Sequence, residues 1–543
     1  MPHTPRCHRS SVGIDTLDAP RSEDLSLLRD LAAELAGLGY TVGGVADLLG
    51  PAAHAALARD QIVPALVALE GRVQGAKRTQ PDALATAVRF FLLRQEVRAD
   101  ELEAAFPAVR VGGLLELGLA EEAEGSRLLR ASVDLRPYAW DEEEGEVRLW
   151  VASDLAAHQR AGVLRRDHVL GIGHASATLI QSTARRPVGN ALDLGTGCGI
   201  QTFHLLRHAR HVVATDISER ALAFARFNLL LNAETLAIDP EQLEERVELR
   251  LGSLLEPVAG ELFDMVVSNP PFVITPRVAG ETAQDQFTYR DAGLPGDQLV
   301  GGLVSGLGDV LAEGGTAQML GNWEIREGSA WHERIRSWVP KELDAWIVQR
   351  EHVGPEQYAE TWLQDASEQR DVEAYARSYA AYLEDFATRN TSGIGFGMLW
   401  FRRPSAGQAR LDRYEELAHP LEQPLGPYWQ AAVERADWLE RLGTEGLEAA
   451  HLVVADDVTE ERHQRPGAEH PGVILLRQGA GFRRTSLLST EQAGFVSACD
   501  GELAVGQIAG ALGALLGRDD EEFRRDLVQA VRELILDGFL VKA

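Results

Sequence analysis

Residues 192–199 read LDLGTGCG, and this stretch decides the fold class of the chain. A short apolar run, Ala191–Leu194, precedes the glycines and predicts a buried strand, and a helical pattern follows as far as Leu206. Glycines let a backbone turn tightly and approach a ligand closely, and the first turn of a helix presents free N–H groups. A glycine-rich turn between a strand and a helix is the context in which such a motif indicates nucleotide binding.

Strand-like and helix-like patterns alternate on the carboxyl side of this turn. Six further strands are predicted at Val212–Ala214, Val247–Leu251, Asp264–Ser268, Thr316–Leu320, Leu343–Val348 and Ile394–Arg402. Alternation of strands and helices at this spacing indicates a parallel sheet with helices on both faces. The predicted fold class is therefore α/β, with a Rossmann-like, seven-stranded central domain.

Shifts in pattern divide the 543 residues into five parts. The predicted parts are a tail at 1–24, an N-terminal domain at 25–150, the α/β domain at 151–405, a connecting region at 406–488 and a C-terminal module at 489–543. The α/β domain contains a helical insertion at 355–388. Short helices followed by a β element are typical of winged helices, which we predict at both ends; a plain helical packing domain fits the N-terminal pattern equally well.

Composition limits the function classes. The formal net charge of −29 disfavours a broad basic face for nucleic acid, so any RNA must meet a local patch. Three cysteines lie far apart, which argues against a disulfide framework or a metal site and suits a cytoplasmic protein. We expect no membrane partner, because the sequence has no run of 18 apolar residues.

Two aspartates point to the kind of cofactor. Asp193 stands directly before the glycines, where a carboxylate suits a cationic amine better than the pyrophosphate of a dinucleotide. Asp216 closes the strand VVATD, 21 residues after Gly195. An acid near this spacing binds ribose hydroxyls in folds of this type, and a carboxylate can accept both hydroxyl protons. The pattern predicts a cofactor with a ribose and an ammonium group.

The sequence SNPPF at 268–272 indicates the reaction. The nitrogen of an amide or exocyclic amine is a poor nucleophile, so its site must accept both N–H protons and hold the nitrogen in place. The side-chain oxygen of Asn269 and the carbonyl of Pro270 can accept them. Pro270 and Pro271 stiffen the turn, and Phe272 can stack on a planar acceptor. These four residues are the predicted catalytic set.

DLGTGCG, VVATD and SNPPF, in this order, resemble the class I S-adenosylmethionine-dependent methyltransferases of the small-domain type. That group includes the HemK-like glutamine methyltransferases and ribosomal RNA base N-methyltransferases, and the resemblance covers about Asp167 to Arg402. It implies a reversed last strand, and a methionine moiety near Asp193, Gly195 and Gly197. The resemblance also implies a cofactor site that takes in Thr196, Gly199, Asp216, Ile217, Ser253 and Leu254. The whole architecture resembles uncharacterised actinobacterial methyltransferases.

The acceptor is predicted from weaker signals. HemK-like enzymes typically read NPPY and RNA-directed relatives more often NPPF, which favours a nucleobase amine in RNA. A basic segment, Lys77–Arg98, with a net charge of +3, is the candidate RNA contact. Glu351–Asn390, with a net charge of −6, favours a protein partner or a solvated face instead, and a protein glutamine amide is the alternative acceptor. Tyr289 and Arg290 are candidate substrate contacts, and a binding protein without catalysis is the third hypothesis.

Overall fold

One large, mostly parallel sheet lies at the centre of the computed structural model. The structure describes residues 18–75, 82–123, 125–142, 145–156, 159, 165, 167–277, 293–365, 371–406, 408, 410–518 and 520–543. The strands of this sheet are β1 (Val188–Leu194), β2 (Ala209–Asp216), β3 (Val247–Leu251), β4 (Phe263–Ser268), β5 (Leu311–Arg326), β6 (Asp344–Val353), β7 (Thr391–Arg402) and β8 (Asp412–Glu416). The helices around them are α1 (His174–Ser182), α2 (Ile200–Leu205), α3 (Glu219–Leu231), α4 (Ala233–Leu236), α5 (Gln298–Val310), α6 (Glu333–Trp338), α7 (Pro355–Asp365) and α8 (Val372–Thr388), with 3-10 turns at Pro240–Glu245 and Glu256–Val258.

The strand order is β3-β2-β1-β4-β5-β7-β6-β8. Strands β1 to β5 run parallel to one another, whereas β7 is antiparallel to both of its neighbours, β5 and β6. The predicted α/β fold with a reversed last strand is confirmed. The sheet has one strand more than predicted, because β8 pairs in parallel with β6.

Both faces of the sheet are covered by apolar side chains, as expected of a parallel sheet with helices on two sides. In β1, Ala191 contributes to the core formed with α2 and α3, and Leu192 to the core formed with α5. Eleven of the thirteen residues of α3 are buried. The pair register aligns Leu194 with Thr215 of β2 and with Ser268 of β4. The carboxyl ends of these three strands therefore meet at one edge of the sheet.

The sheet continues beyond that edge on the side of β5. Strand β5 has 16 residues, and it pairs with β7 from Thr316–Arg402 to Arg326–Thr391. The helices α7 and α8 connect β6 to β7. They pack against each other and against the first residues of β7. The insertion predicted at 355–388 thus forms two helices that stand next to the carboxyl edge of β4 and β5.

Elements on both flanks complete the chain. The N-terminal flank contains helices Leu25–Gly37, Val42–Leu49, Pro51–Leu57, Val63–Gly75, Ala83–Ala87, Ala99–Ala105 and Arg110–Glu116, a π-helical turn Val88–Leu92, strands Val97–Arg98, Ala120–Glu122 and Leu128–Ala131, and a hairpin of Asp134–Glu142 with Gly145–Ser153. The C-terminal flank contains helices Gly426–Ala449, Thr490–Ser497, Val505–Leu516 and Glu521–Asp537, a sheet of His451–Val454, Asp500–Ala504 and Leu540–Lys542, and a second sheet of Val458–His463, Val473–Gln478 and Thr485–Leu488.

The predicted domain boundaries and the winged-helix interpretation of the flanks stay predictions. The central sheet runs on to Glu416, past the predicted boundary at 405, and His451–Val454 pairs with strands of the predicted C-terminal module. Within the described ranges, no single helix has the length and apolarity to cross a membrane. A pair bent by 84°, Glu219–Leu231 with Ala233–Glu245, passes that test only when taken together, and most of Glu219–Leu231 is core.

Candidate active site

The glycine-rich loop after β1 is open on one side. Gly195, Gly197 and Gly199 have φ angles of +77°, +56° and +93°, a region that favours glycine. A Cβ added at Gly195 or Gly197 would meet no atom within 4 Å, whereas one at Gly199 would contact Phe203. The N–H groups of Gly195 and Thr196 both donate to the carbonyl of Thr215, at 2.9 Å. The loop is therefore fixed to β2, and its first two glycines leave space for a ligand.

Asp193 is fully buried at the end of β1. Its Oδ2 accepts hydrogen bonds from the hydroxyls of Thr196 and Thr202, both at 2.7 Å. Its Oδ1 is buried and has no hydrogen-bond partner among the described residues. Burial raises the pKa of Asp193 to about 6, and the two threonine hydroxyls oppose this shift. One carboxylate oxygen thus holds the loop, and the other remains available to a donor.

Asp216 connects the loop to the end of β2. Its Oδ2 accepts the N–H of Gly197 at 3.0 Å, and its Oδ1 accepts the N–H of Ser218 at 2.9 Å. Burial raises the pKa of Asp216, and these backbone donors partly offset the rise. Each carboxylate oxygen can accept a second hydrogen bond, so Asp216 can still receive hydroxyl groups.

Three further predicted cofactor residues surround Asp216. Ile217 follows it directly and is 59% exposed, a high value for a large apolar side chain. The N–H of Gly252 donates to the backbone carbonyl of Asp216 at 3.0 Å, which brings Ser253 and Leu254 alongside. Both are half-buried. The structure thus gathers the predicted cofactor residues at the carboxyl edge of β1, β2 and β3.

The SNPPF turn lies at the same edge. The hydroxyl of Ser268 donates to the carbonyl of Leu194 at 2.8 Å and joins the ends of β4 and β1. Oδ1 of Asn269 is buried and has no hydrogen-bond partner among the described residues. Pro270 is buried, Pro271 is half-buried, and Phe272 is half-buried against the cores on both sides of the sheet. The turn therefore presents an acceptor oxygen to which no described residue donates a hydrogen bond.

The predicted substrate and RNA contacts either lie outside the described residues or form ion pairs within the protein. Tyr289 and Arg290 lie outside the described residues, as do Lys77 and Arg78 of the basic segment. The three described arginines of that segment pair with carboxylates: Arg89 with Glu101 at 2.9 Å, Arg94 with Glu121 at 3.4 Å, and Arg98 with Asp100 at 2.8 Å. Each of the three arginines of this segment that the structure describes therefore has a carboxylate partner within the protein. In the part of the chain that the structure describes, no group of three or more His, Cys, Asp or Glu residues can hold a metal ion.

Sequence reasoning missed a residue that supports the loop from behind. Asn228 of α3 is fully buried, and its Nδ2 donates to the carbonyls of Cys198 and Ala152, both at 2.9 Å. Its Oδ1 accepts the N–H of Ala152 at 2.7 Å. Asn228 thus joins the glycine-rich loop to the N-terminal hairpin. The signal was an asparagine inside an apolar helix, because a buried polar side chain requires partners.

Two family models match parts of the chain. Residues 155–292 match the family described as "Methyltransferase small domain". Residues 37–132 match a domain of unknown function, DUF7059. The first match contains the glycine-rich loop, Asp216 and the SNPPF turn, which the structure brings to one edge of the sheet.

Several curated methyltransferases are similar to part of the chain. A release factor glutamine methyltransferase of Cereibacter sphaeroides is 38% identical over 103 residues, 19% of this chain and 34% of that protein. A ribosomal RNA small subunit methyltransferase C of Idiomarina loihiensis is 33% identical over 124 residues, 23% of this chain and 33% of that protein. A ribosomal protein uL3 glutamine methyltransferase of Bradyrhizobium diazoefficiens is 33% identical over 114 residues, 21% of this chain and 32% of that protein. The chain spans about a third of the length of each.

Solved structures that match part of the chain include the ribosomal protein L11 methylase of Lactobacillus delbrueckii subsp. bulgaricus. It is 23% identical, with a TM-score of 0.20, over 28% of this chain and 62% of that one. A SAM-dependent methyltransferase of Thiobacillus denitrificans, in complex with S-adenosyl-L-homocysteine, is 16% identical, with a TM-score of 0.23, over 44% of this chain and 94% of that one. Residues 155–292 thus match the methyltransferase small-domain family, and this match, the motifs and the strand order support the predicted resemblance to HemK-like class I methyltransferases.

Proposed function

We propose that this protein is an S-adenosylmethionine-dependent N-methyltransferase that acts on a planar amide or amine nitrogen. The observation that carries the proposal is the buried Oδ1 of Asn269, which has no hydrogen-bond partner among the described residues and lies beside the glycine-rich loop at the carboxyl edge of the sheet. A buried acceptor without a partner costs free energy. It is explained if a substrate N–H completes it.

The residues of the site fit the cofactor. The open side of Gly195 and Gly197 leaves room for its methionine portion. Oδ1 of Asp193, which no described residue hydrogen-bonds, suits its ammonium group. Asp216 has lone pairs left for the ribose hydroxyls. The exposed side chain of Ile217 offers an apolar surface for the adenine ring, with Ser253 and Leu254 beside it.

When bound, the cofactor supplies an electrophilic methyl group. The protein then has to position a weakly nucleophilic nitrogen in line with it. Asn269 Oδ1 and the carbonyl of Pro270 accept hydrogen bonds from the two N–H groups of the acceptor. The ring of Phe272 stacks against the planar group that carries this nitrogen. Neither oxygen is basic enough to keep a proton, so the proton that the methyl group replaces leaves to solvent. Asn269 and Pro270 therefore act by orientation and electrostatics.

For the acceptor, we infer a protein carboxamide, such as a glutamine side chain. The helices α7 and α8 stand beside the turn in a segment with a net charge of −6, which repels RNA phosphates and suits a basic protein partner. The paired arginines of the segment 82–98 support the same choice. A nucleobase amine in RNA, which Phe272 in place of tyrosine favours, is the second candidate. A cytoplasmic location stays a prediction.

Tritium-labelled cofactor distinguishes the candidates. Lysate of cells that lack the gene is incubated with purified protein and split into protein and RNA fractions. We expect label in a protein band that protease removes. Label that ribonuclease removes would establish RNA as the acceptor, and cofactor binding without any label would support the non-catalytic hypothesis.

The same assay tests the catalytic turn. Asn269→Ala should lower the rate by about 100-fold, the magnitude for one positioned polar group at a reacting centre, while cofactor affinity stays the same. The matched control is Asn190→Ala, at the opposite end of the same sheet, where the side chain is exposed. Near-normal turnover in Asn269→Ala would show that the acceptor binds elsewhere.

A further inference from the structure

The insertion between β6 and β7 contacts the chain just after the SNPPF turn. Ile274, two residues beyond Phe272, is 1% exposed and belongs to the apolar cluster of α7 and α8. Tyr358 of α7 is also 1% exposed. Its ring stacks on Phe396 of β7 at 5.7 Å between centroids and meets Phe386 of α8 edge-on at 5.5 Å. The position of the Tyr358 ring is therefore set by packing from β7 and α8.

The phenol oxygen of Tyr358 is the polar link between the insertion and the turn. It accepts the backbone N–H of Ile274 at 2.8 Å and Nδ2 of Asn322 at 3.0 Å. Asn322 is fully buried on β5, three residues beyond Met319, which pairs with Ser268 at the end of β4. Burial raises the pKa of Tyr358 well above its usual value, so the phenol stays neutral. One hydroxyl thus joins α7, β5 and the segment that follows SNPPF.

A turn built on two prolines has few N–H groups with which to hold itself. Pro270 and Pro271 donate none, and a buried backbone N–H such as that of Ile274 needs a partner. The described hydrogen bonds fix the turn at Ser268 to β1 and at Ile274 to Tyr358. Asn269, Pro270 and Phe272 lie between these two points.

We propose that Tyr358 is a positioning residue for methyl transfer, which holds the acceptor side of the SNPPF turn in its reactive geometry. The inference rests on the proposed function of the turn. It gives the insertion a part in the active site: α7 supplies a hydroxyl that orients the turn without touching the substrate. Displacement of reacting groups by about 1 Å can cost on the order of 100-fold in rate, so the loss of this link should affect the chemical step.

Tyr358→Phe keeps the ring and removes the hydroxyl. We expect kcat to fall by about 10-fold to 100-fold, with the Kd for the cofactor and the KM for the acceptor each changed by less than about twofold. Tyr379→Phe is the matched control. Tyr379 lies on α8 and is half-buried, and its hydroxyl donates to Glu360 rather than to the turn, so its variant should keep wild-type kcat.

Hydrogen exchange at Ile274 tests the link without relying on activity. The Ile274 amide should be protected in the wild type, and in Tyr358→Phe it should exchange about tenfold faster, as expected for the loss of one buried hydrogen bond. In Tyr379→Phe it should be unchanged. Equal exchange and equal kcat in wild type and Tyr358→Phe would overturn the proposal. If the wild type methylates no acceptor, the proposed function fails, and faster exchange in Tyr358→Phe would still establish the link to the turn.

Discussion

Replacing Asp193 with asparagine should stabilise the protein and weaken its binding of cofactor. The carboxylate is fully buried, and one of its oxygens has no partner among the described residues. A pKa of about 6, against an ordinary 3.8, means that the ionised form costs about 3 kcal/mol of stability at neutral pH. Asparagine keeps an oxygen for Thr196 and Thr202 and removes the charge. We expect a gain of about 1–3 kcal/mol for the protein without cofactor.

The pH dependence has a definite sign. Because the folded-state pKa is raised, the contribution of Asp193 to stability is fully present below pH 3.8 and is lost as the pH rises through about 6. Thermal unfolding of wild type and Asp193→Asn is recorded from about pH 5 to about pH 8. The melting temperature of the variant relative to that of the wild type should rise over this range by about 1 °C. Asp264→Asn is the control, because Asp264 accepts the N–H groups of Gly189 and Asn190 at the other edge of the sheet and its neutral variant should not gain.

Cofactor binding should change in the opposite direction. An ammonium group needs the ionised carboxylate, so cofactor affinity in the wild type should increase about tenfold from about pH 5 to about pH 7. In Asp193→Asn it should fall by about 10-fold to 100-fold at neutral pH, the scale of a hydrogen bond to a charged group. Calorimetry measures both. A variant that is less stable than wild type at neutral pH and binds the cofactor equally well would refute this account of Asp193.

Substitutions at three further positions test the rest of the site. Asp216→Ala should weaken cofactor binding by about 1.5–3 kcal/mol in calorimetry, since it removes hydrogen bonds to a charged group; unchanged affinity would contradict its ribose role. Phe272→Tyr should leave kcat within about threefold, whereas Phe272→Ala should lower it by more than about tenfold, if the ring supports a planar acceptor; equal rates would exclude stacking. Asn228→Ala leaves buried groups of Ala152 and Cys198 unpaired and should cost about 2–4 kcal/mol of unfolding free energy, measured in urea; a loss below about 0.5 kcal/mol would contradict the bridge.

The parts of the site that follow directly from local sequence were predictable. Parallel strands bring their carboxyl ends to one edge, so motifs that stand just after successive strands must meet there. For this reason the glycine-rich loop, Asp216 and Asn269 could be placed together, and the register of Leu194 with Ser268 confirms their proximity. Asp193 shows the limit of such reasoning. Its place beside the glycines was clear, but its bonds to the hydroxyls of Thr196 and Thr202 depend on how the loop closes.

Contacts between distant parts of the chain could not be read from the pattern. Tyr358 and Ile274 are 84 residues apart, and nothing in the helical periodicity around Tyr358 distinguishes a packing tyrosine from one that binds a loop. The strand β8 was missed because DRYEE has no apolar alternation. One signal was available: β7 reads GIGFG at 393–397, and alternate glycines in a strand indicate close approach of neighbouring groups on one face. A Cβ at Gly395 would lie 2.3 Å from Oε1 of Gln349 and 2.6 Å from Nε1 of Trp323.

The glycine-rich loop and the SNPPF turn of the proposed site are each held by a buried side chain from another part of the chain. Loops at the ends of parallel strands leave backbone groups that the sheet cannot pair. On the cofactor side, Asn228 supplies partners for Cys198 and for the N-terminal hairpin at Ala152. On the acceptor side, Tyr358 supplies the partner for Ile274 from the insertion. Asn228 connects the glycine-rich loop to the strand at 145–153, and Tyr358 connects the SNPPF turn to the helix at 355–365. Both of these segments lie outside residues 155–292, which match the methyltransferase family. The motifs thus specify the chemistry that the site offers. The segments 145–153 and 355–365 specify how firmly the glycine-rich loop and the SNPPF turn are held.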